Sequence, residues 1–273
     1  MKLQGTVAVV TGAASGLGRA CVEMLLTEGC SVAAIDLTVA EDPGAWSGTL
    51  RLLRLAGDVS RANDMERAFA TIQRYLGTPG ILINCAGVLG PARVFRTEKA
   101  TGRAVPRPME LFRRVIDINL VGTFNTIRLF AQGLAQAGPV QGDEDRGVII
   151  NTASVAAYEA LSAQTAYGSS KAGVASITLP LARELAHYGI RVMALAPGTF
   201  ETGMYEVVPD HTRRTLISDV PFPTRPGRPA EFAHMAKALI ENSMMNGSVV
   251  RIDGAVRMRE PVQRACCCTR SGW

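Results

Sequence analysis

The chain has 273 residues, 47% of them hydrophobic, which is enough to bury a large core and is a size that single α/β units commonly reach. It lacks an apolar run of about eighteen residues, so a membrane span is not expected. The net charge is +5, but Lys and Arg are scattered rather than gathered into a stripe, which argues against a nucleic-acid partner.

The opening MKLQGTVAVVTG enters a strand directly, so neither a signal peptide nor a transit segment is expected. A cytoplasmic location follows, with the mitochondrial matrix as the alternative. VAVVTG at residues 7–12 is a short apolar run ending in glycine, the pattern of a buried parallel strand. Gly12, Ser15, Gly16, Leu17 and Gly18 then open a helical pattern that runs to about Glu28. Glycines at a strand-to-helix turn let backbone N–H groups approach a pyrophosphate at the helix N-terminus. The spacing is G-x-x-x-G-x-G, a motif of moderate weight in this context.

The second strand, SVAAID, ends at Asp36. A carboxylate there can accept from both adenosine ribose hydroxyls and would repel a 2′-phosphate, which favours NAD over NADP; its other reading is a turn cap. A third strand within LRLLRLAGDVS is expected to end near Asp58 and Val59. Asp58 either accepts from an adenine amino group or caps the amphipathic helix of residues 62–76. ILINCAG at residues 81–87 is the fourth strand, and its end, with Asn84, Ala86 and Gly87, can pass close to a cofactor ribose.

Residues 90–107 break the pattern. They carry Arg93, Arg96, Lys99, Arg103 and Arg107 among glycines and prolines and read as a mobile basic insertion. A long helical pattern covers residues 108–136 and contains Asn119, an amide that is costly to bury without partners. A fifth strand, GVIINTAS, leads to Ser154, and a helix carrying Tyr167 runs to about Tyr188. IRVMALAPG is the sixth strand, closed by Pro197 and Gly198. Residues 199–228 are irregular, with four prolines, and read as a substrate lid. A helix, PAEFAHMAKALIEN, and a last strand, GSVVRIDG, follow. The domain is expected to span residues 1–261, with 262–273 a disordered tail.

Cys21, Cys30 and Cys85 fall in apolar patterns and read as buried small hydrophobes in a reducing compartment. Cys266, Cys267 and Cys268 are adjacent, which does not match metal-ligand spacing, so no metal is expected. The alternation of strand and helix implies right-handed crossovers and a doubly wound, mostly parallel sheet with helices on both faces. Ligands bind such sheets at the strand C-terminal ends, where the candidate residues fall.

Chemistry concentrates between Ser154 and Lys171. Tyr167 and Lys171 are four apart and share one helix face, with Ser154 thirteen positions before the tyrosine. A free phenol titrates near pH ~10. An adjacent ammonium favours phenolate, which would bring Tyr167 toward acid/base work near neutral pH. Tyr-x-x-x-Lys also arises by chance on amphipathic helices, so its weight comes from the other motifs.

Together these motifs resemble the short-chain dehydrogenases/reductases, a Rossmann-fold family. The carriers are Thr11-Gly12-x-x-x-Gly16-x-Gly18, Asn84-x-Ala86-Gly87, Asn119, Ser154, Tyr167-x-x-x-Lys171 and Pro197-Gly198, spread over roughly residues 5–260. GTFNTIRL, GVIINTASVAAYE, PFPTR and NGSVVRIDGAVRM further resemble the type II 3-hydroxyacyl-CoA dehydrogenase subgroup, also called 17β-hydroxysteroid dehydrogenase type 10.

The resemblance implies an NAD-dependent enzyme, commonly a homotetramer, acting on a small molecule such as an acyl-CoA or a steroid-like alcohol. Tyr167 would be the acid/base and Lys171 its modulator and a nicotinamide-ribose ligand. Ser154 would bond the reacting oxygen, and Asn119 would position a water linking Lys171 to solvent. Gln164 would touch substrate beside Ser154 and Tyr167. The dinucleotide would lie along the glycine turn, Asp36, Asp58, Val59, the end of the fourth strand, Tyr167, Lys171, and Pro197 to Thr199. A scaffold without catalysis is the competing class; it has no need of the Asn–Ser–Tyr–Lys set. The tail RACCCTRSGW and the length of the basic insertion depart from the subgroup.

Overall fold

The computed structural model describes residues 1–39, 51–203 and 210–260. The cysteine-bearing tail and residues 204–209 of the expected lid lie outside them.

Seven strands form one sheet in the order β3-β2-β1-β4-β7-β8-β9. They are β1 (Val7–Thr11), β2 (Ser31–Asp36), β3 (Leu52–Ala56), β4 (Ile81–Asn84), β7 (Gly147–Thr152), β8 (Ile190–Pro197) and β9 (Val249–Ile252). Every pairing in this sheet is parallel. The third strand stops at Ala56, short of the expected Asp58–Val59, because Asp58 opens a turn.

Side chains alternate between the two faces along each strand. Ala8, Val10, Ile81, Ile83, Val148 and Ile150 enter one core with helices α1 (Gly16–Thr27) and α8 (Pro229–Glu241). Val9, Leu82 and Ile149 enter the opposite core. That core is closed by α2 (Ala62–Tyr75), α4 (Gly122–Ala135) and α6 (Thr165–Leu185). Burial on both faces explains why the strands read as continuous apolar runs. The chain moves outward from β1 through β2 to β3, then crosses to β4 on the other side of β1. The crevice at that reversal is where such sheets hold ligands.

Three expectations change. The basic insertion is not irregular: β5 (Phe95–Thr97) and β6 (Ala104–Pro106) pair antiparallel as a separate hairpin. The long helix of residues 108–136 is divided into α3 (Met109–Ile116) and α4 by a π-turn over Asp117–Val121, which carries Asn119. Such turns in a helix are frequent at functional sites. The lid segment contains a helix, α7 (Asp210–Ser218). No helix among the described residues is long and apolar enough to cross a membrane.

Candidate active site

A cavity of about 790 Å³ opens at the carboxyl ends of β1, β2, β4, β7 and β8. One end is built by the glycine turn after β1. Gly12 has φ 64°, and a Cβ there would lie 2.7 Å from the Ala86 nitrogen. A Cβ on Gly18 would meet the Gly12 carbonyl oxygen at 2.2 Å. Only glycine lets the turn, the first helix and the loop after β4 approach this closely. Ser15, the N-cap of α1, makes no side-chain cap bond, and no acidic residue stands in the first turn. The helix N-terminus therefore presents positive dipole to the cavity, suited to a diphosphate.

Asp36 also lines the cavity. Its carboxylate accepts from the Ala14 N–H at 2.9 Å and the Leu37 N–H at 2.7 Å, which holds the acid beside the glycine turn. Asp58 and Val59 line the same end. The Asp58 carboxylate accepts from the Ser60 N–H at 2.9 Å and the Ser60 hydroxyl at 2.6 Å. These bonds close a turn ahead of α2, whose N-cap is Arg61, so Asp58 does not cap that helix.

Asn84 supports the loop after β4. It is 3% exposed and does not line the cavity. Its amide donates to Asn151 Oδ1 at 3.0 Å, and its oxygen accepts from the Thr126 hydroxyl at 2.7 Å. Thr11 completes the brace, accepting from the Ala86 N–H at 3.2 Å. This polar bridge lies beneath Cys85, Ala86 and Gly87 and fixes the loop that faces the cavity.

At the other end, Ser154, Gln164, Tyr167 and Lys171 line the cavity together with Pro197, Gly198 and Thr199. The Ser154 hydroxyl lies just past β7 and accepts from the Ala156 N–H at 3.1 Å. Tyr167 and Lys171 sit one turn apart on α6, with Lys171 Nζ 5.9 Å from the Tyr167 ring centroid. Lys171 is 4% exposed and donates to the Thr152 carbonyl at 2.6 Å. Burial pushes its pKa down from 10.5 to about 8, opposed by the Cys85 thiol.

The Tyr167 phenol departs from the sequence argument. Burial pushes its pKa up, and its hydrogen bond with Ser154 opposes that. Lys171 Nζ is turned onto the Thr152 carbonyl, 5.9 Å from the phenol ring centroid.

Asn119 is fully buried and also lies outside the lining. Its amide donates to the Val88 carbonyl at 3.0 Å and the Ser170 hydroxyl at 2.9 Å, and its oxygen accepts from the Val88 N–H at 2.8 Å. Both amide protons are committed, so its side chain ties the loop after β4 to the face of α6 that carries Lys171. Gln164 is the N-cap of α6, and its Oε1 accepts from the Leu161 N–H at 3.0 Å.

The sequence matches the short chain dehydrogenase family over residues 6–213. The chain belongs to that family. It is 43% identical to the Bos taurus 3-hydroxyacyl-CoA dehydrogenase type-2, covering 94% of this chain and 97% of the relative. The Drosophila melanogaster protein of the same name is also 43% identical, over 94% of this chain and 99% of its own length. The solved structure of the Mycobacterium avium 3-hydroxyacyl-CoA dehydrogenase type-2 superposes with a TM-score of 0.81 at 34% identity, covering 95% of this chain and 99% of that one. The chain is thus a short-chain dehydrogenase, an oxidoreductase enzyme that works with a nicotinamide dinucleotide. The glycine turn, whose Cβ positions are filled by backbone, the open N-terminus of α1 and the adjacent Asp36 fit such a group.

Several lining residues of this short-chain dehydrogenase were not singled out from the sequence. Arg113 and Arg114 come from α3, Leu216 from α7, and Met258 from the segment after β9. No local pattern marks them; only the packing of distant segments brings them to the cavity. Cys85, read as a buried hydrophobe, is half-buried and lines it too. The Thr152 hydroxyl donates to its sulfur at 3.6 Å.

Proposed function

We propose that this enzyme is an NAD-dependent dehydrogenase that interconverts 3-hydroxyacyl-CoA and 3-ketoacyl-CoA in fatty-acid or branched-chain catabolism. The observation that carries the reading is one continuous cavity, with the glycine turn and Asp36 at one end and Ser154, Tyr167 and Lys171 at the other. The near full-length relatives named for 3-hydroxyacyl-CoA support the substrate class.

The bound dinucleotide supplies the two-electron oxidant at the nicotinamide end. Ser154 and Tyr167 meet the substrate oxygen, and the phenol takes the hydroxyl proton in the oxidative direction. The Ser154 hydroxyl stabilises charge developing on that oxygen. Lys171, ionised below about pH 8, stabilises the phenolate that Tyr167 passes through. Asn119 acts through the backbone at Val88 and through Ser170, keeping Lys171 in register with Thr152. Asp36 accepts from the adenosine ribose hydroxyls and disfavours a 2′-phosphate, which selects NAD.

The insertion that carries the basic hairpin is tied near the site: the Ala92 N–H, three residues before β5, donates to the Ala163 carbonyl at 2.8 Å, next to Gln164. Arg96 lies 4.0 Å from Glu98; Arg93, Lys99, Arg103 and Arg107 have no ion pair among the described residues. Their charge suits the coenzyme A phosphates, which must stay outside while the acyl end reaches Tyr167. The assembly is a homotetramer, which would cover apolar side chains such as Val121 and Phe124 on and beside α4, 46% and 49% exposed.

A substrate panel tests the reading. kcat/KM is measured with NAD for acyl-CoAs of several chain lengths, steroids and uncharged secondary alcohols. The acyl-CoAs are expected to lead; a steroid or simple alcohol leading instead would replace the substrate class, and no turnover of any would favour a scaffold.

A further inference from the structure

The segment after β9, residues 253–260, brings Met258 to the lining of the cavity and is fastened by several charged groups. Glu159, on the short helix α5 (Ala156–Glu159) five residues after Ser154, is the fastening point. Its carboxylate accepts from Arg251 Nη1 at 2.9 Å, Arg251 Nη2 at 3.3 Å and the Met258 N–H at 3.2 Å. Arg257 Nε lies 3.4 Å from the same carboxylate. Arg251 also donates through Nε to Asp253 at 2.7 Å and through Nη2 to the Val256 carbonyl at 2.9 Å. A second tie joins the Ser162 N–H to Glu260.

The chain reverses through Gly254 and Ala255, with φ 61° and 67°. A residue with a Cβ rarely takes that conformation, so the reversal is imposed by its surroundings. Asp253 Oδ1 accepts from the Ala255 N–H at 3.0 Å and holds it. Beyond the reversal, Val256 is buried against Val155 and Val220, and Met258 packs on that cluster. Val155 is the neighbour of Ser154, and Val220 lies in the lid segment, two residues after α7. Met258 therefore faces the cavity from between the reacting serine and the lid, alongside Gln164 and Leu216.

We propose that this segment is the specificity wall for the substrate chain beyond the reacting carbon, with Met258 the side chain it presents and Glu159 the positioning residue that seats it. The assignment of that chain as acyl rests on the function proposed above. The wall itself is independent of that, since Met258 lines the same cavity as Ser154 and Tyr167 whatever the alcohol. A bidentate arginine–carboxylate pair fixes orientation as well as distance. Because Glu159 hangs from the Ser154 loop and Arg251 from β9, the wall and the reacting end keep one spacing.

The measured quantity is the ratio of kcat/KM for a long substrate to that for a short one, in folded protein verified by melting. Met258→Trp should lower the ratio about tenfold or more, the discrimination that a methylene-sized change in a pocket produces. Met258→Ala should move the preferred chain length upward. Glu159→Gln keeps the shape and removes the charge, and should shift the ratio in the direction of Met258→Ala. Equal losses for all substrates in Glu159→Gln would make Glu159 merely structural and overturn its positioning role. An unchanged ratio in both Met258 variants would overturn the wall. If wild type oxidises no acyl-CoA, the substrate proposal fails, and the same ratio on short and long alcohols still decides the wall.

Discussion

Lys171→Met removes the buried charge while keeping a long unbranched side chain. The lysine is 4% exposed, and its pKa falls from 10.5 to about 8, with burial the main cause. A drop of that size corresponds to about 3 kcal/mol of destabilisation by the charged form. The variant removes that cost but also strands the Thr152 carbonyl, which accepts from Lys171 at 2.6 Å. A lost bond to a charged donor costs ~1.5–3 kcal/mol, so at pH 7 the two nearly offset and the net change is small.

The pH dependence separates them. Below about pH 8 both folded and unfolded chains hold the Lys171 proton, and the burial cost is fully present. Between about 8 and 10.5 the unfolded chain binds a proton that the folded chain has released. Wild-type stability, relative to the variant, therefore rises with pH across that window and by about 1.4 kcal/mol per unit inside it. Urea unfolding of both proteins at pH 7, 8, 9 and 10 gives the difference directly. A flat difference across the series would refute the assignment of a buried, readily deprotonated lysine. The variant should also lose at least ~100-fold in kcat, since the phenolate would lack its cation.

Tyr167→Phe should reduce turnover by ~100-fold or more with dinucleotide binding retained, because only the phenolic proton is removed. Near-wild-type kcat in a stopped-flow assay would end the acid/base assignment. Asp36→Ala should narrow the preference for NAD over NADP, read as the ratio of the two kcat/KM values; wild type using NADP equally well would contradict the role given to Asp36. Neutralising Arg93, Arg96 and Arg103 together should raise KM for an acyl-CoA, and further with added salt, while KM for a small uncharged alcohol stays put. Equal responses of the two substrates would remove the hairpin from coenzyme A binding.

Much of this protein was determined within short windows of its sequence. The buried strands are written as apolar runs, because a sheet covered on both faces needs no polar alternation. The glycine turn is local too, since its steric demand falls on Gly12 and Gly18 themselves. The Tyr167–Lys171 pair is set by helical geometry alone. What those windows could not decide is how each polar group spends its hydrogen bonds. Asn84 and Asn119 carry motif positions, yet both are consumed by partners on other elements: Thr126 and Asn151 for one, Val88 and Ser170 for the other. The direction of the Tyr167 shift likewise depends on burial and on its hydrogen bond with Ser154. Met258 lines the cavity with its N–H held by Glu159, 99 residues earlier in the chain. Spacing along a chain specifies which groups share a helix face or strand end; desolvation and long-range pairing exist only once distant segments have packed.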